Sequence, residues 1–306
     1  MLRYTLKRGI IALITIWVII TVTFFLMRAI PGDPFTNEKK IQPQIMENLK
    51  RKYGLDQPLV VQYGKYLQNL LKGDLGDSMK YKTRTVNEML KTSFPVSAKL
   101  GLMAATLGAG LGITFGIIAA LHRGKAFDYF VIFLAVIGVS VPSFVFAALF
   151  QYWFGAKLQW FPVARWGTWK HYVLPVSALG FTMIAYIARM MRTSMLDVLN
   201  QDYIRTAKAK GLSRSVVTWK HTIRNAILPV VTIIGVSIAG VIVGSFVVES
   251  IYAVPGMGKY YVQSIQQSDY TLIMGTTIFY AVILVVMMYL IDIVYGLVDP
   301  RIRLDD

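Results

Sequence analysis

Residues Tyr203–Pro229 read YIRTAKAKGLSRSVVTWKHTIRNAILP, and they lead from one long apolar run, Tyr172–Ala188, into another, Asn225–Val248. The stretch carries six basic residues, Arg205, Lys208, Lys210, Arg214, Lys220 and Arg224, with one acid beside them, Asp202. A loop that only joins two membrane spans needs neither this length nor this charge and helical composition. It reads as a helical docking element for a soluble partner. The chain around it is then expected to be a multi-span helical membrane protein.

The flanking sequence agrees. The 306 residues are 55% hydrophobic, with a mean hydropathy of +0.53. A span needs about 20 apolar residues to cross roughly 30 Å of hydrocarbon. Suitable runs occur at Gly9–Met27, Leu100–Leu121, Tyr129–Ala156, Tyr172–Ala188, Asn225–Val248 and Tyr270–Ile291. Continuous runs of this kind exclude a closed barrel, whose strands alternate. The fold class expected is an all-α membrane protein with six transmembrane helices. Its organisation is a first span (1–30), an extracytoplasmic helical segment (31–95), a five-helix core (96–296) holding a cytoplasmic loop (192–225), and a tail (297–306).

Orientation follows from Lys and Arg in short loops. With both termini in the cytoplasm, the inner segments hold 15 basic residues and the short outer loops four, Lys157, Arg165, Lys170 and Lys259. The segment 31–95 has 11 basic and 7 acidic residues, but long translocated segments escape the rule. The net charge of +16 is thus spread over membrane loops facing the lipid bilayer, and no nucleic acid is needed to account for it. The first apolar run is too long for a signal-peptide core and lacks a small-x-small cleavage site before Pro31, so it reads as a retained span. Without cysteine, disulfides and thiolate chemistry are excluded.

Within this frame, Ile30-Pro31-Gly32-Asp33-Pro34 should end the first helix. Ile45, Leu49 and Lys52/Tyr53 suggest one outer amphipathic helix, and Val60, Tyr63/Gly64, Leu67 and Leu70/Leu71 a second, together capping the outer face. Ala104, Gly108, Gly112 and Gly116 place a small residue at every fourth position, the pattern that lets membrane helices pack closely. Pro142 should kink the third span, serving packing or a moving gate. Pro255-Gly256 fits a type II turn. The Gly258-Lys259 pair is not a phosphate loop, because Tyr260 follows where Ser or Thr is required.

Site chemistry is sparse. His122, His171 and His221 are isolated at span boundaries, and no metal or catalytic constellation accompanies them. An ion-coupled carrier should hold ionisable groups deep in its spans. Here Arg28, Lys99, Arg189 and Glu249 fall at span ends, where they are expected to snorkel, and Asp292 lies near the end of the last span. No catalytic, cofactor or metal residue is therefore assigned, and energy for uphill transport is expected from a partner. In the docking stretch, Ile204, Ala207 and Gly211 share a smooth helical face open to a partner groove, and Gly211 should cap the helix. A second, interfacial helix should place Val216, Trp219, Ile223 and Ile227 on one side and be interrupted at Pro229.

Arg205-Thr206-Ala207-Lys208-Ala209-Lys210-Gly211, with Ile227-Leu228-Pro229 after it, resembles the EAA loop of binding-protein-dependent ABC importers. Arg205 stands where that loop has an acid, and the Leu-Pro pair comes five residues late, as in the peptide/nickel branch. Met1–Arg8, Pro31–Phe35, Tyr53–Asp56, Ser93–Leu100, Val254–Gly258 and Val298–Arg303 extend the likeness along the chain. It is similar to the B-type permease subunits of oligopeptide importers, with dipeptide or nickel permeases as the alternative within the branch and an ion-coupled peptide carrier outside it. The resemblance implies a type I ABC importer permease fold in the bacterial inner membrane. It also implies a second, C-type permease subunit, two cytoplasmic ATPase subunits carrying ATP and magnesium, and an extracytoplasmic peptide-binding protein. Arg205, Thr206, Ala207, Lys208, Lys210, Gly211 and Leu212 would form the coupling helix seated in an ATPase groove. On this reading the chain itself is not an enzyme.

Overall fold

The structure, a computed structural model, describes residues 2–30, 42–81, 83–242 and 246–298. The Pro31–Phe35 break and the tail beyond Val298 lie outside them. In chain order the helices are α1 (Leu2–Ala29), α2 (Pro43–Lys52), α3 (Leu59–Leu71), α4 (Val86–Leu121), α5 (Ala126–Ser140) and α6 (Ser143–Phe150). There follow α7 (Trp169–Leu199), α8 (Asp202–Ala209), α9 (Arg214–Val216), α10 (Arg224–Ile242), α11 (Phe246–Ile251), α12 (Met257–Gln267) and α13 (Tyr270–Val298). Two π-helical segments, Gln151–Lys157 and Val217–Ile223, continue α6 and join α9 to α10.

Five stretches are long and apolar enough to cross a membrane: Tyr4–Ala29, Val86–Leu121, Trp169–Leu199, Arg214–Val241 and Tyr270–Ile293. The remaining expected span is not a kinked rod. Ala126–Ser140 and Ser143–Lys157 meet at 105°. Steric conflict with the proline ring drives the preceding residue out of helical geometry, and Val141 is extended (φ −103, ψ 126). Pro142 then starts α6 as its N-cap residue. It separates two helices where a bend within one was expected.

The chain forms two compact units, one of Val96–Pro255 with the chain from Met287 on, the other of Leu2–Pro95 and Gly256–Val286. In the first, α7 is the centre. It buries Leu174, Ala178, Met183, Ala185, Ile187, Met191 and Met195 around its circumference, as expected of a helix enclosed on several sides. The small-residue stripe of α4 packs closely against it, as does Gly138 of α5, where an added Cβ would run into Ala185 Cβ. A Cβ at Gly108 would sit 2.5 Å from Met183 Cβ, one at Gly112 2.8 Å from Ile187 Cβ, and one at Gly116 2.6 Å from Met191 Cβ. Partners advance by four residues on both helices, so the pair runs parallel with backbones nearly touching. Ala104, fully buried, continues the stripe, and its carbonyl faces Gly180. Tyr252, also buried, donates to the Ala147 carbonyl at 2.8 Å.

In the second unit α3 lies along the end of α1. Phe24 stacks on Tyr66 at 5.5 Å, and Tyr63 Oη bonds Thr21 Oγ1 at 2.6 Å. The two amphipathic helices expected from periodicity are α2 and α3. The start of α4 lies well before the expected Leu100. Thr85 and Glu88 make a reciprocal capping box, with Glu88 N donating to Thr85 Oγ1 at 3.2 Å and Thr85 N to Glu88 Oε2 at 3.4 Å. Asp269, fully buried, ties residues 78–80 to the start of α13. It accepts the Ser78 hydroxyl and the backbone N–H groups of Met79 (3.1 Å), Lys80 (3.2 Å) and Leu272 (3.0 Å).

Two further expectations are corrected. Gly256 has φ −92 and caps α12, so Pro255-Gly256 is not a type II turn, and the left-handed residue nearby is Ala253 at φ 50. Glu249 does not snorkel. It is 1% exposed, because α11 places it on the inner side beside Val248.

Candidate functional site

The docking stretch is helical almost throughout. α7 continues past Arg189 and Arg192 to Leu199, and only two residues separate it from α8. α8 ends in a Schellman motif: Leu212 N donates to Ala207 O at 3.4 Å and Gly211 N to Lys208 O at 3.0 Å. Lys210 is the cap residue and Gly211 follows it in the left-handed region at φ 76. That backbone is why glycine suits the position, since a Cβ there would meet no atom within 4 Å and space is not the constraint.

The faces of α8 are reversed from the sequence expectation. Ile204 and Ala207 are buried on the chain's own Val217, with Val198 packed alongside. They anchor α8 to its own subunit and are not offered to a groove. The outward surface is Tyr203, Arg205, Thr206, Lys208, Lys210, Gly211 and Leu212, all exposed. Arg205 lies 3.5 Å from Asp202, but both side chains stand in solvent, where such a pair contributes about 0–1 kcal/mol. The exposed face therefore stays basic, with Tyr203 and Leu212 as apolar points.

Ser213, accepting from Val216 N at 3.4 Å, starts the next helix. The expected stripe Val216–Trp219–Ile223–Ile227 does not stay on one side: its first two residues are exposed and Ile223 is buried, together with Val217, Thr222, Ala226 and Val230. The π turn is the cause, because its wider winding advances the inward phase by an extra residue. Thr222 Oγ1 accordingly donates to the Val217 carbonyl, five residues back, at 3.0 Å. Pro229 is accommodated inside α10 and does not interrupt it. Residues Arg214–Val241 form one continuous span, so the segment leaving α8 is already part of a membrane helix.

A contact unforeseen in the sequence braces this region. Asp128, 2% exposed at the start of α5, accepts two hydrogen bonds from Arg192 on α7, Nη2 to Oδ2 being 2.9 Å. Gly124 N donates to the same Oδ2 at 2.9 Å. The basic loop after α4 and the helix leading into α8 are thus held through one carboxylate. Ser194 adds a bond to the Ala226 carbonyl at 2.7 Å, joining α7 to α10. The histidines have local roles: His171 completes a capping box with Thr168, and His122 Nδ1 lies 2.9 Å from the Ile118 carbonyl.

A family model described as "Binding-protein-dependent transport system inner membrane component" matches residues 112–304. One described as the N-terminal part of such a membrane component matches residues 1–100. The chain is 49% identical over 304 residues to the dipeptide transport system permease protein DppB of Bacillus subtilis (strain 168), with 99% of each chain covered. It is 44% identical over 305 residues to the oligopeptide transport system permease protein OppB of Haemophilus influenzae, covering 99% of this chain and 100% of that one. Among solved structures, an amino acid ABC transporter with histidines aligns at TM-score 0.54 and 17% identity, over 70% of this chain and 94% of that one. The MetNI methionine ABC transporter in inward-facing conformations aligns at TM-score 0.53 and 14% identity, over 69% and 96%. At those identities the structural likeness is one of fold. The chain belongs to the family of inner membrane components of binding-protein-dependent transport systems, the permease subunits of ABC importers.

Proposed function

We propose that this chain forms half of the membrane pathway of an ATP-driven importer of oligopeptides, dipeptides included. A second, C-type permease subunit supplies the other half. Two cytoplasmic ATPase subunits bind ATP and magnesium, and an extracytoplasmic binding protein delivers the peptide. Relatives named for dipeptide and for oligopeptide transport, each aligned over nearly the whole chain, support a peptide cargo. In this reading the docking face comprises Arg205, Thr206, Lys208, Lys210, Gly211 and Leu212, with Ala207 beneath it as the anchor. The observation that carries it is the two-sided build of α8, pinned inward by Ile204 and Ala207 and basic outward.

Force on α8 has a short route into the membrane. On one side α8 follows α7 after two residues, and on the other the Ser213-capped helix runs on into α10. ATP-driven closure of the ATPase pair would move both helices together and shift the population between inward- and outward-open states. Both termini and α8 lie on the cytoplasmic side in this scheme.

The test compares Gly211→Asp and Leu212→Asp with Gly73→Asp. Gly73 shares the left-handed backbone (φ 74) and open surroundings but lies outside the docking face. Gly211→Asp and Leu212→Asp should lose the ATPase subunits on co-purification and lose peptide uptake, whereas Gly73→Asp retains both. Equal retention by all three would remove the docking assignment. Uptake of labelled dialanine and pentaalanine by the complete transporter checks the cargo, and transport of neither would reject it.

A further inference from the structure

A groove of about 930 Å³ lies wholly within the unit built from Leu2–Pro95 and Gly256–Val286, between the middle of α1, the end of α3, the start of α4 and α13. Its volume is near the top of the range of small-ligand pockets, about 300–1,000 Å³. Trp17, Leu67, Leu71, Phe94 and Phe279 are among its walls. Phe94 and Phe279 meet edge to face with ring centres 5.2 Å apart, which joins the α4 and α13 sides. Trp17 is 55% and Leu71 89% exposed, so apolar surface stands open on both α1 and α3. Since α1, α4 and α13 are membrane spans, the gap cannot stay empty: its lining atoms would lose their van der Waals partners. Lipid tails are as apolar as leucine and fill it with no polar group to desolvate.

Apart from the Trp17 indole, the polar side chains of the lining are Asn87 and Lys91. Asn87 is fully engaged, with Nδ2 donating to the Gly73 carbonyl at 2.6 Å and Oδ1 accepting from Leu75 N at 2.9 Å. Lys91, one turn further along α4, is exposed, and among the described residues no carboxylate pairs with it. Glu88, the acid nearest to it in sequence, accepts from Thr85 N in the capping box. The groove therefore combines long apolar walls with one cation that this chain does not neutralise. An acyl chain joined to a phosphate has the matching pattern. A partner helix would have to bring a carboxylate into hydrocarbon to match Lys91, which is costly and rare. Anionic phosphates already stand at the membrane interface, which a lysine stem reaches by snorkelling.

We propose that this groove holds an acyl chain of an anionic phospholipid whose phosphate pairs with Lys91. The site is formed by residues outside the docking face, and the inference is independent of the cargo proposed above.

Photolabelling tests it. The purified transporter is held in phosphatidylcholine nanodiscs containing a trace of phosphatidylglycerol with a diazirine on one acyl chain, and adducts are mapped by peptide mass spectrometry after irradiation. Adducts should concentrate on Leu13–Ile20 and Leu67–Leu71, and unlabelled phosphatidylglycerol should suppress them. Lys91→Gln should lower their yield about fivefold, the scale of one lysine acting on an anionic lipid, while Lys91→Arg retains it. Adducts elsewhere in the transporter should be unchanged in both variants, which shows that they are folded. Equal yields in the groove from diazirine-labelled phosphatidylglycerol and phosphatidylcholine, or from the parent and Lys91→Gln, would overturn the assignment, since an ordinary lipid boundary gives that result. So would the absence of adducts from both segments while the rest of the transporter is labelled, the outcome expected if a partner helix fills the groove.

Discussion

Arg192 and Asp128 stand 64 positions apart in the chain and share a two-pronged ion pair, with Arg192 Nη2 2.9 Å from Asp128 Oδ2. The same oxygen accepts Gly124 N at 2.9 Å, so the carboxylate is occupied from both sides. The pair clamps the N-terminus of α5 to the segment of α7 that runs on toward α8. Neither residue stands out in the sequence, since each falls within a few residues of a basic loop.

Breaking that clamp from one side should be costly. Asp128→Ala leaves a part-buried guanidinium without its anion and Gly124 N without its acceptor, which should destabilise by about 1–3 kcal/mol. Thermal unfolding of the purified protein should show a clear loss for Asp128→Ala. The double variant Asp128→Leu/Arg192→Leu should recover much of it, because no unpaired charge remains. A single variant as stable as the parent would mean that the pair is solvated and structurally idle.

The stripe on α4 makes a position-specific prediction. Gly112→Val and Gly116→Leu must displace the Ile187 and Met191 side chains or the α7 backbone, whereas Gly110 has nothing within 4 Å of an added Cβ. Overpacking of this kind costs about 1–3 kcal/mol. Lower melting temperature and yield are therefore expected for the first two, with Gly110→Ala neutral. Tolerance of Gly116→Leu would show that α4 and α7 separate more readily than their spacing implies.

Asp269 should matter for the segment before α4 more than its single charge suggests. Asp269→Asn puts an amide donor against groups that all donate: the Ser78 hydroxyl and the N–H groups of Met79, Lys80 and Leu272. A loss of about 1–3 kcal/mol follows from unsatisfied buried donors. Amide exchange at Met79, Lys80 and Tyr81 should accelerate while that of α7 is unchanged. Uniform acceleration would point to global destabilisation, and none would show the contact to be dispensable.

Much of the fold was legible because membrane helices advertise themselves by length and apolarity. The amphipathic helices α2 and α3 were legible from periodicity, and so was the stripe that ends at Gly116. Failures cluster where a helix departs from 3.6 residues per turn or meets a proline. The π turn at Val217–Ile223 shifted the buried face away from Val216 and Trp219. Pro142 broke a span that was expected only to bend, whereas Pro95, Pro175 and Pro229 sit inside continuous helices. The Thr85–Glu88 capping box is a readable local signal for the early start of α4, although the first turns after it mix charged and polar residues with Val86, Met89 and Leu90 and so fall outside the uncharged run.

At α8 the sequence by itself determined that a short basic helix would lie between two spans and end at a glycine. Spacing, charge and the left-handed preference of Gly211 are local properties and can be read locally. Which face of that helix turned inward was decided only by tertiary structure. Ile204 and Ala207 could have met a partner, but Val217 and Val198 of the same chain buried them first. Choosing between two apolar contacts depends on which surfaces the rest of the fold brings within reach, and no spacing within α8 records that.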